Sequence, residues 1–162
     1  MWSSRQSNGQ TNGSSYKLPL LINGQDVESK TTFPVTSPAT GDKLWEASSV
    51  SREDAIKAVD AAVAAFPAWS ATKPAARRAI FLKAADILDE RKQECIDYMK
   101  EETGALEPFC VFNLVNSIEI LRGLAGRISG ALTGSMPVCD DDGKYALVFK
   151  EPYGVVLGIA PW

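Results

Sequence analysis

Residues 154–160 read Gly-Val-Val-Leu-Gly-Ile-Ala, apolar at every position and followed by Pro161 and Trp162. A run with no polar face fits a strand of a parallel sheet covered on both sides. Such a strand needs a hydrogen-bonded neighbour on each edge and helices above and below. No other stretch of the sequence repeats this pattern. The chain therefore reads as an α/β architecture cut at the start of its parallel sheet.

The segments before that run are of a different kind. Lys-Leu-Pro-Leu-Leu-Ile-Asn-Gly-Gln-Asp-Val, residues 17–27, predicts a hairpin turning at Asn23-Gly24, because that pair tolerates the positive φ angles of a two-residue turn. A second hairpin is predicted over residues 31–49, turning at Ala39-Thr40-Gly41-Asp42. Pro34 and Pro38 assign its strands to sheet edges or crossings and not to sheet centres, since proline donates no ladder hydrogen bond.

Three helices follow by period. Ser51 is placed to cap the first, with Glu53 and Asp54 in its first turn, and Ala55, Ile56, Val59, Ala62, Val63 and Phe66 form one stripe up to a stop at Pro67. A single long helix is predicted from Pro74 to Gly104, carrying Ile80, Ala84, Ile87, Leu88, Cys95 and Met99 on one face. A third follows Pro108, with Val111, Leu114, Val115, Ile118, Leu121, Ala125, Ile128 and Leu132 in register. Gly123, Gly126 and Gly130 lie within it, each costing roughly 1 kcal/mol against Ala. Such a cost predicts either close approach of another backbone or an early end. Asp140-Asp141-Asp142-Gly143 reads as a polar turn before strands at 144–150 and 154–160.

Composition excludes several chemistries. The 162 residues suit one domain, and 17 basic against 20 acidic residues leave a net charge of −3 with no basic cluster. That field does not suit a phosphate backbone, so no nucleic-acid partner is expected. No stretch reads as long and apolar enough to span a bilayer, so no membrane partner is expected either. The first seventeen residues are polar and lack the apolar core of a secretory signal; they read as a disordered tail. With no histidine, neither a Ser-His-Asp triad nor an HExxH metal site exists within the chain. Cys95, Cys110 and Cys139 form no CxxC pair, so reduced thiols in the cytoplasm are expected, with no metal site and none of the three catalytic. Gly123 to Gly130, GLAGRISG, does not match a dinucleotide fingerprint and follows no strand. The acidic pairs, Glu101-Glu102 and Asp140 to Asp142, read as solvated ends and turns.

Five stretches nevertheless occur in a telling order. They are LLINGQDV (20–27), FPVTSPATGDKLWEASSVSREDAIKAVDAAVAAFPAW (33–69), KPAARRAIFLKAADILDERKQECIDYMKEETG (73–104), ILRGLAG (120–126) and EPYGVVLGIAPW (151–162). Together they resemble the N-terminal part of the NAD(P)-dependent aldehyde dehydrogenase superfamily, whose corresponding segment ends EPxGVVxxIxPWN. Ala105 stands where the family often has Lys after Glu-Thr-Gly, and Ser37 where it often has Asn before the Pro-Ala-Thr-Gly turn.

The resemblance implies an organisation: a tail over 1–17, strands and helices of the NAD-binding domain over 18–133, an oligomerisation-arm strand over 134–151, and the first nucleotide-fold strand over 152–162. It implies a Rossmann-like sheet beginning at that strand, NAD or NADP as cofactor, a small aldehyde as substrate and a homo-oligomer as the full-length assembly. Ile159, Ala160, Pro161 and Trp162 match family positions beside the cofactor. In the family a cysteine thiolate attacks the aldehyde, an asparagine amide and a backbone N–H hold the oxyanion, and a glutamate activates water. The asparagine would follow Trp162, and none of Cys95, Cys110 or Cys139 matches the nucleophile. The chain alone is thus expected to be inactive, and its general look is closest to salicylaldehyde and vanillin enzymes. Two other readings stand beside this one: a non-catalytic truncated paralogue that binds full-length enzyme, and a small helical domain of unrelated descent.

Overall fold

Pro19 divides the first extended stretch in two. In the computed structural model, which describes residues 16–160, β1 (Lys17–Leu18) and β2 (Leu20–Ile22) lie on either side of it and join different sheets. β1 runs parallel to β5 (Lys43–Ser48), so Lys17, expected to end the tail, is already paired; residues 1–15 of that tail lie outside the described residues. β2 pairs with β3 (Gln25–Val27) through the predicted turn, where Asn23 and Gly24 take φ of 53° and 70°. Two successive positive φ values give the turn the twist that two antiparallel strands need.

The second hairpin joins β4 (Thr32–Thr36) to β5, giving a sheet in the order β1-β5-β4. Pro34 sits on edge strand β4, as expected. β5, expected with β4 to avoid a sheet centre, is instead central: neither proline lies within it, so both its edges can pair, and it buries Trp45 and Ala47 on one face. Its turn is tied by the Ser37 N–H to Asp42 O (2.9 Å) and the Gly41 N–H to Ser37 O (2.8 Å).

Among the described residues four helices form where three were expected. α1 (Arg52–Ser70) starts at the predicted cap, the Ser51 hydroxyl accepting from the Asp54 N–H at 3.1 Å. Pro67 does not end it. A proline near the C-terminus costs one backbone bond, while its own carbonyl still accepts from Ala71 N–H at 3.3 Å. Arg77 secures the end by donating to Trp69 O (3.2 Å) and Ser70 O (3.0 Å) and stacking over the Trp69 ring at 5.4 Å. α1 buries none of its residues, and Ile56, Val59 and Val63 of its stripe are exposed.

The predicted long helix is two, α2 (Pro74–Glu90) and α3 (Lys92–Thr103), separated by Arg91 at φ −102°, ψ 21°. No glycine or proline marks the break, and the apolar period runs across it. Its effect is to aim α3 so that Tyr98 meets Trp45 edge-on, with ring centres 5.9 Å apart. Gly104, at φ 67°, closes α3 as expected.

α4 (Glu107–Ala131) begins one residue before Pro108 and runs 25 residues. Cys110, Leu114 and Ile118 pack with Ala85 of α2 and Ile96 of α3 to form the core. Arg122 ties α4 to α2 outside that core, reaching Asp89 at 3.6 Å and Asp86 at 3.9 Å as well as Glu119 at 3.1 Å. The three glycines neither shorten α4 nor meet another backbone: a Cβ at Gly123, Gly126 or Gly130 would find nothing within 4 Å. α4 also corrects the reading that no stretch is long and apolar enough to cross a bilayer. It has the length, and its mean hydropathy reaches 1.2. Core helices of globular domains meet the same measure, and one side of α4 is buried against α2 and α3.

Neither of the last two predicted strands forms among the described residues. Of residues 144–150 only Val148 pairs, in a single antiparallel bridge to Ser135. The approach there is close, since a Cβ on Gly134 would stand 2.1 Å from Val148 O. Lys150 Nζ donates to Ala131 O at 3.1 Å, holding this segment to the end of α4. Residues 154–160 form no strand, and Leu157 is 83 % exposed. A parallel strand exists only through its neighbours, and residues 16–160 offer it none.

Candidate functional site

Four residues were expected beside a cofactor. Ile159 is 85 % exposed, Ala160 is exposed beside it, and Pro161 and Trp162 lie outside the described residues. A dinucleotide needs a strand end, a tight turn and helix N–H groups converging on its phosphates. Residues 154–160 have no strand neighbour among the described residues, which therefore do not fit the cofactor by themselves.

The cysteines sit mostly in packing environments. Cys110 is 1 % exposed in the α2–α3–α4 core, its thiol directed to Ala105 O at 3.8 Å. Cys95 borders that core, and burial pushes its thiol pKa up against the opposing pull of Arg91. A nucleophilic or metal-binding cysteine needs the thiolate, which this setting at Cys95 disfavours. Cys139 is half-buried near the Asp140 turn. Among the described residues no three His, Cys, Asp or Glu side chains stand together as a metal site.

Two cavities stand out among the described residues. The larger, about 540 Å³, lies between residues 16–19, the β2–β3 hairpin and α3. Trp45 and Tyr98 supply aromatic wall, Asp26, Glu28 and Glu102 supply carboxylates, and Arg91 closes one side. Arg91 is held by Glu94 through Nε–Oε2 (2.7 Å) and Nη2–Oε1 (2.5 Å), and that pairing raises its pKa. The volume suits a small molecule, but among the described residues no Cys, Ser or Thr lines the cavity to act as a nucleophile. The smaller, about 310 Å³, lies between α3 and α4 and includes Thr103, Cys110 and Ser117. Both hydroxyls donate back to carbonyls of their own helices, to Met99 O and Asn113 O. Among the described residues no carboxylate or lysine lines it to serve as a base.

The larger cavity went unseen in the sequence reading. Its residues come from four separate segments and share no spacing. The i, i+3 pair Arg91–Glu94 is the one local signal within it.

Comparison with known proteins places this assembly. Residues 25–162 match the Aldehyde dehydrogenase family. Over 149 residues the chain is 39 % identical to a vanillin dehydrogenase of Pseudomonas sp., covering 91 % of this chain and 31 % of that protein. Its structure superposes on a salicylaldehyde dehydrogenase from Pseudomonas putida G7 complexed with salicylaldehyde, with a TM-score of 0.78 and 28 % identity, over 84 % of this chain and 28 % of that one. An NAD-dependent benzaldehyde dehydrogenase from Corynebacterium glutamicum superposes with a TM-score of 0.72 and 27 % identity, over 80 % of this chain and 28 % of that one. The chain thus spans less than a third of the length of these relatives.

Proposed function

Because the chain belongs to the aldehyde dehydrogenase family, we propose that it is the N-terminal portion of an enzyme oxidising an aromatic aldehyde to its carboxylic acid with NAD or NADP. The observation that carries this reading is the 39 % identity to a vanillin dehydrogenase over 91 % of the chain but 31 % of that protein. NAD-dependent and NADP-dependent enzymes both occur among its structural relatives. Residues 152–162 are then the first nucleotide-fold strand, with Ile159 to Trp162 beside the cofactor. Residues 134–151 are an arm strand of a homo-oligomer, and the enzyme is cytoplasmic. The nucleophilic cysteine, the oxyanion asparagine and the glutamate base belong to the remainder, so residues 1–162 alone are inactive.

The test is a chimaera that joins residues 1–162 to the remaining part of the Pseudomonas vanillin dehydrogenase. It is expected to reduce NAD⁺ with vanillin, while residues 1–162 alone give no turnover above blank. A folded chimaera without activity, or turnover by the isolated chain, overturns the proposal.

A second reading is favoured by one observation. Tyr145, Leu147, Val148 and Phe149 are all exposed on a segment whose only bridge among the described residues is at Val148. Such an edge suits addition to a partner's sheet, so the chain would act as a non-catalytic paralogue bound to full-length enzyme. Co-expression with the vanillin dehydrogenase should then give a complex that co-elutes in size exclusion; separate elution removes this reading.

A further inference from the structure

We draw no further inference here: the strongest candidate, the cavity of about 540 Å³ between residues 16–19, the β2–β3 hairpin and α3, has an acidic rim but, among the described residues, no buried polar side chain without a partner that would point to a ligand.

Discussion

The two sides of the molecule's C-terminal half respond differently to the same kind of sequence. α4 and residues 154–160 are both strongly apolar, yet α4 is an ordered helix with four buried residues, whereas the last run stands exposed and unpaired. A helix satisfies its backbone hydrogen bonds within itself and needs a neighbour for only one stripe. A parallel strand satisfies none alone. Side-chain hydrophobicity therefore marks both segments as interior, but only the helix can take its shape before the interior is complete.

The sharpest test of that contrast pairs Ile118 with Leu157. Ile118→Ala removes a side chain that is 4 % exposed in the core and should cost about 2–4 kcal/mol in urea unfolding. Leu157→Ala in the same chain should change stability by less than about 0.5 kcal/mol. In the chimaera, where a parallel sheet would surround it, Leu157→Ala should become nearly as costly as Ile118→Ala. Equal and small effects in both settings would break the comparison.

A smaller effect is expected at Gly134. Adding a methyl group there drives Cβ toward Val148 O, 2.1 Å away, so Gly134→Ala should release the 144–150 segment from α4. Amide hydrogen exchange at Ser135 and Val148 should accelerate at least tenfold while the amides of the Ile118 region keep their protection. Unchanged exchange at Val148 would show that the segment is held by other contacts.

The smallest effect concerns α1, which is ordered locally with no buried side chain. Ser51→Ala deletes its cap and should cost about 1 kcal/mol. Asp54 adds a pH signature. Its carboxyl is held below the usual carboxylate range, first by the Ser51 hydroxyl and then by Lys57. A lowered folded pKa gives a stabilisation that is present above the unfolded value and lost as the pH falls through the folded one. Acid titration of α1 helicity should show this loss at acidic pH in the parent and a weaker dependence in Ser51→Ala. An unaltered profile would assign the pH dependence elsewhere.

Legibility in the sequence follows the same division. Asn23-Gly24, Ser51, Pro74 and Gly104 each act through their own φ angle or side chain, and each sits where it was predicted. Arg91 was missed because the break it makes is expressed in the direction of α3 and not in any residue type known to break helices. Pro67 was over-read because the Arg77 bonds that secure the end of α1 come from the next helix. The stretch 144–150 shows a single bridge among the described residues, because β-prone residues form a strand only where a partner presents its edge. For the proposed cofactor contact, nothing local in Ile159 or Ala160 announces a cofactor; that proposal rests on the order of five family-like stretches.

The clasp at the base of the 134–150 segment has an evolutionary consequence. Gly134 against Val148, and Lys150 on the Ala131 carbonyl, fix both ends of the excursion to one point at the end of α4. Closing a loop costs little more as it lengthens, about 0.6 kcal/mol for each doubling. Residues 136–147 are thus where insertions and deletions should accumulate between descendants of this sequence, while the glycine and the lysine at the clasp stay put.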